Sequence, residues 1–141
     1  LRSTYCSLAH GRLLRDLLGG PDAVLDVLAG RTDRFDPADV AAMELAAQTI
    51  TDPNAITSAD LRRARAAGLT DGEIVAVVLA AAARSFFSTV IGALGAVPDR
   101  ELVGRLEPAL REALVVGRAT EDVTAPGAVR NPTLEEIGAT G

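Results

Sequence analysis

Thr70-Asp71-Gly72-Glu73 is followed by more than twenty residues without a turn signal, closing at Gly95. A Thr whose hydroxyl meets the amide three residues on, answered by a Glu reaching back, is the chemical mark of a helix start. The helix it opens carries Ile74, Val75, Val77, Val78, Leu79, Phe86, Phe87, Val90, Ile91 and Leu94, which cover the cylinder all round. A helix apolar on every side must be buried on every side. A chain of 141 residues rarely surrounds six helical turns by itself, so this helix predicts a homo-oligomer with the segment at a subunit interface or bundle centre, and with Phe86 and Phe87 in the core. Insertion into a membrane is disfavoured, because Arg84 near the middle costs roughly 2.5–3.5 kcal/mol and the flanking alanines offset little of it.

The rest of the chain carries the same helical punctuation. A first helix is expected from Ser3 to Leu18, with Leu13, Leu14, Leu17 and Leu18 on its apolar side and Gly19-Gly20-Pro21 ending it. A short helix follows from Asp22 to Leu28. Asp36-Pro37 starts a third, with Asp as cap and Pro at the first helical position. Thr57-Ser58-Ala59-Asp60 is a capping box with Asp in place of Glu, opening a helix from Ala59 to Ala67. A final helix is expected from Asp99 to Val116, bent or split at Pro108. No stretch alternates with period two over a useful length, so the fold class is all-α. The expectation is one helical domain over residues 1–116 and an extended or disordered tail over 117–141, where Gly, Pro, Thr and charges dominate.

Composition narrows the partners. The net charge is −5 and all 14 basic residues are arginine, which argues against a nucleic-acid surface. The run Arg62, Arg63, Arg65 reads as a solvated helix face. One cysteine excludes an intrachain disulfide, and no charged segment followed by an apolar one opens the chain; a cytoplasmic protein is the expectation. No glycine-rich phosphate loop occurs, and no cofactor is implied.

Chemistry concentrates at Tyr5-Cys6-Ser7-Leu8-Ala9-His10, which holds the only cysteine and the only histidine. On a helix, residues i and i+4 stack one turn apart, and Ser3 falls on the same stripe as Cys6. A thiol becomes a nucleophile as the thiolate, and imidazole is the side chain best suited to accept its proton. Burial of Cys6 as a small hydrophobe is the plain alternative. One Cys and one His are too few for a zinc site. Tyr5 reads either as a hydrogen-bond donor at the site or as packing beside the sulfur.

Two stretches resemble the alkylhydroperoxidase D and carboxymuconolactone decarboxylase superfamily, and more closely its peroxidase-related branch. Tyr5-Cys6-Ser7-Leu8-Ala9-His10-Gly11 matches the second half of the family's Cys-x-x-Cys-x-x-x-His signature. From Ala46 to Gly95, the Thr51-Asp52-Pro53 turn, Ala66-Ala67-Gly68-Leu69-Thr70-Asp71-Gly72-Glu73-Ile74 and Ala93-Leu94-Gly95 follow the family's order. The resemblance implies an AhpD-like helical bundle, assembly as a trimer or hexamer, and thiol-based reduction of hydroperoxides. It assigns Cys6 as the reactive cysteine and His10 as proton relay, with Ser3 and Tyr5 lining the site, and it calls for an external thiol reductant. The family's first cysteine falls at Ser3, so the resolving thiol is absent. Its relay glutamate falls upstream of Leu1, and Ser88-Thr89 stands where relatives often carry Asn-Arg. Two other readings stay open: a lactone decarboxylase in which His10 is the acid/base residue and Arg84 holds a substrate carboxylate, and a non-enzymatic oligomer whose thiol is a redox sensor or inert.

Overall fold

The computed structural model describes residues 3–118 and 120. Among the described residues there are seven α-helices and no strand, so the all-α class is right. The helices are α1 (Thr4–Leu18), α2 (Pro21–Leu28), α3 (Pro37–Thr51), α4 (Ser58–Ala66), α5 (Asp71–Ala93), α6 (Arg100–Gly104) and α7 (Pro108–Leu114), with a 3₁₀ turn at Pro53–Ala55.

Their ends follow local chemistry. Ser3 caps α1, and Gly19 closes it in the left-handed region at φ 77°, its amide donating to the Arg15 carbonyl. Thr57 and Asp60 form the reciprocal box at α4. At α5 the Thr70 amide donates to Glu73 Oε2 at 2.8 Å and the Glu73 amide to Thr70 Oγ1 at 3.2 Å. Asp36 precedes Pro37 as expected, but its side chain makes no capping bond. The helix expected over 99–116, bent or split at Pro108, is split, because Pro108 takes the first position of a new helix. The tail expected from Gly117 falls, from residue 121 onward, outside the described residues.

Among the described residues, contacts gather the chain into two units, one spanning 26–91 and the other joining residues 3–25 to residues 92–118. In the second unit α1 packs on α6 and α7. Leu8, Leu110 and Val24 are fully buried there, joined by Leu102, Val103, Leu106 and Leu114. Gly11 is a point of close approach to α7: a Cβ on it would collide with Leu114, whose Cδ2 lies 2.9 Å from that position. In the 26–91 unit, α3 packs on α4 and on the 3₁₀ turn. Its core is Leu45, Ala64 and Ile74, flanked by Ile56, Leu61, Leu69, Val77 and Val78.

Two expectations about apolar faces are corrected. Leu13, Leu17 and Leu18 are exposed, because Thr4, Leu8 and Gly11 form the inward stripe of α1 and only Leu14 of the four leucines packs against the core. Phe86 and Phe87 are 72% and 46% exposed and belong to no core cluster. Within the chain, α5 buries only Ile74, Ala81 and Ser88. These are seven residues apart and so lie on one side of the helix. By length and composition α5 is also sufficient to cross a membrane. Arg62, Arg63 and Arg65 of α4 are solvated, as expected. Arg63 pairs with Asp60, and Arg65 with Asp71.

Candidate functional site

The first turn of α1 places the thiol. Ser3 has extended backbone, and its Oγ accepts from the Cys6 amide at 3.4 Å, while its carbonyl accepts from Ser7 at 2.9 Å. Cys6 is therefore the third helical residue, among the amides that carry the positive end of the helix dipole. One turn on, His10 Nδ1 lies 2.9 Å from the Cys6 carbonyl oxygen. A carbonyl can only accept, so Nδ1 carries the proton in this contact, and a neutral ring is left with Nε2 as its acceptor. Cys6 is 9% exposed and His10 is open to solvent. The stripe continues to the exposed Leu13 and Leu17, the far side of α1 from Thr4, Leu8 and Gly11.

Ser3 and His10 thus both bond the backbone of Cys6, one at its amide and the other at its carbonyl, with the Ser3 hydroxyl acting as helix cap. Tyr5 points elsewhere. It lines a cleft of about 380 Å³ with Ala9, Arg12, Asp99, Leu102 and Arg105, a lining that includes neither Cys6 nor His10. Asp99 in this cleft is held by capping α6, its carboxylate accepting from the Leu102 amide at 2.7 Å.

Thr4 was not singled out by sequence. It is buried, and its hydroxyl donates to the Arg118 carbonyl at 2.6 Å and accepts from the Gly117 amide at 3.1 Å. Residues 117 and 118, beyond the end of α7, are therefore pinned to the start of α1, two positions before Cys6. No local pattern encodes such a bond between residues 4 and 118.

A second cleft, of about 400 Å³, lies in the 26–91 unit between α3, α4 and the loop before α3. Phe35, Val40 and Leu45 supply its apolar lining, and Glu44, Gln48, Asp60 and Arg63 its polar groups. Asp60 is held well below the usual carboxylate range, at about 2, first by the Thr57 hydroxyl and amide and then by Arg63. Glu44 is exposed and lines this cleft. In the same unit Asp26 is held low by Arg31 and, secondarily, Arg34. The Arg84 guanidinium sits 5.3 Å from the Phe87 ring centre, a cation–π contact rather than an ion pair. Glu73 is the capping residue it was expected to be, and its carboxylate is held low by the Thr70 amide.

Among the described residues no group of three or more His, Cys, Asp and Glu side chains is placed to hold a metal ion. Compared with known proteins, the chain matches no protein-family model, no curated protein and no solved structure.

Proposed function

We propose that the chain is a thiol-dependent peroxidase of the alkylhydroperoxidase D-like kind, reducing hydroperoxides through Cys6 with His10 as proton relay. One observation carries the reading: the Cys6–His10 pair occupies the first two turns of α1, with the imidazole tethered through Nδ1 to the Cys6 carbonyl and Nε2 left to accept a proton. In the reaction Nε2 takes the thiol proton and the thiolate attacks the nearer peroxide oxygen. The O–O bond breaks, Cys6 is oxidised to the sulfenic acid, and the proton passes from the imidazolium to the departing alkoxide. Without a second cysteine, a small thiol from outside condenses with the sulfenic acid, releasing water. A second thiol then exchanges with the mixed disulfide and restores Cys6. A reducing cytoplasm supplies such thiols. A homo-oligomer completes the proposal, and the exposed apolar side of α5 supports it.

A second reading, in which the thiol is inert packing in a helical oligomer, draws on the burial of Cys6. Stopped-flow consumption of hydrogen peroxide and cumene hydroperoxide separates the two. Cys6→Ser is expected to abolish turnover, and His10→Ala to slow it by about 10²–10⁴-fold. Equal rates in wild type and Cys6→Ser, with no sulfenic acid detected by mass after mild peroxide treatment, establish the inert thiol instead.

A further inference from the structure

The exposed side of α5 has a symmetry of its own. Val75, Leu79 and Ala83 form one row at i+4 spacing, and Ala82, Phe86 and Val90 form another; all six are exposed. At about 100° per residue the two rows share roughly 100° of the cylinder, opposite the row of Ile74, Ala81 and Ser88 that packs inward. Reversing the helix about the point between Ala82 and Ala83 exchanges Val75 with Val90, Leu79 with Phe86, and Ala82 with Ala83. Each exchange swaps β-branched for β-branched, large for large, and small for small.

The geometry points to a two-fold interface in which α5 of one copy lies antiparallel on α5 of a second, crossing at Ala82 and Ala83. At the crossing, two alanines per copy let the helix axes approach to the short end of the ~8–10 Å range. On either side, the Leu79 side chain of one copy meets Phe86 of the other, and Val75 meets Val90. The pairing is isologous and closed, so the contact itself does not propagate beyond two copies. Arg84 is the only charge from Ile74 to Pro98. It lies about 150° round the cylinder from the seam and stacks on Phe87, so the pairing desolvates no charge. Antiparallel packing also sets the positive end of each macrodipole beside the negative end of the other. Given that a buried Phe removes about 150–250 Å², the two stripes together cover on the order of 1,000 Å², the lower bound for a specific interface. A lipid occupant fits less well, because one side of α5 is already packed on its own chain and Arg84 sits mid-span.

This pairing rests on the homo-oligomer part of the proposed function and sharpens it, since a two-fold requires an even number of copies, as in a dimer or a hexamer, and excludes a simple trimer. In a Cys6→Ser background, single cysteines report the register. Ala83→Cys is expected to form a disulfide-linked dimer under mild oxidation. Val75→Cys and Val90→Cys are expected to stay uncrosslinked alone and to crosslink when co-expressed. Crosslinking of Val75→Cys with itself, and not with Val90→Cys, overturns the antiparallel register. Light scattering at tens of micromolar separates this from the wider reading. An oligomer lacking the 75–90 crosslink sinks the α5 pairing alone, whereas a monomer sinks both. Phe86→Asp is expected to weaken association at least 100-fold while leaving the helical circular dichroism unchanged, because Phe86 touches no core cluster within the chain.

Discussion

Thr4 shows how one side chain can hold a junction that no neighbouring residue predicts. Thr4→Val keeps the shape but leaves the Gly117 amide and Arg118 carbonyl without their partner. The expected loss is about 1–3 kcal/mol, read as a lowered midpoint in urea. Gly11 presents the opposite case, a position defined by the absence of a side chain. Gly11→Ala gains up to ~1 kcal/mol of helix propensity but drives Cβ into the buried Leu114. Overpacking of about 1–3 kcal/mol wins, since Leu114 is hemmed in by the α1–α7 core, and the expected outcome is a lower Tm. The candidate thiol and imidazole were legible at this scale because they are unique in the chain and one helical turn apart. The role of Ser3 as the cap whose hydroxyl meets the Cys6 amide was less so, since a stripe assignment treats all helical positions alike. Helical spacing sets Tyr5 about 100° round from Cys6, but the cleft it lines with Leu102 of α6 is one that spacing says nothing about.

At the scale of elements, capping chemistry decided where helices begin. Thr57–Asp60 and Thr70–Glu73 are both formed, and both carboxylates are held below their ordinary range by the amides and hydroxyls they accept from. For a depressed carboxylate the stabilisation is complete above the unfolded value, 3.8 for Asp60, and is lost as pH falls through about 2. Thermal unfolding followed at pH 7, 4 and 2 is therefore expected to show wild type losing α4 stability between pH 4 and 2. Asp60→Asn is expected to be less stable at pH 7 and to lack that part of the acid dependence. An identical acid profile in the two proteins rules the box out as its source. Proline acted as sharply as the caps, and of the bend or split expected at Pro108 the structure has the split, into α6 and α7. Periodicity was a poorer guide to which side of a helix faces inward. On α1 the leucines at 13, 17 and 18 are exposed, because Gly11 lets α7 approach on the Leu8 side.

For the whole molecule, the exposed side of α5 dominates expectation. Salt should strengthen or spare self-association through this seam, because the contact is apolar; a dimer that dissociates between 0.1 and 1 M NaCl in sedimentation would point to ion pairs instead. The all-α class and the helix ends follow from short-range chemistry, because caps, prolines and 3.6-residue spacing act within one or two turns and need no distant partner. Which residues those helices bury does not follow in the same way. Leu110 is sealed, Phe86 is open to solvent, and Thr4 binds residues 117 and 118. Each of these outcomes depends on where chain segments far apart in sequence meet, which local spacing does not encode.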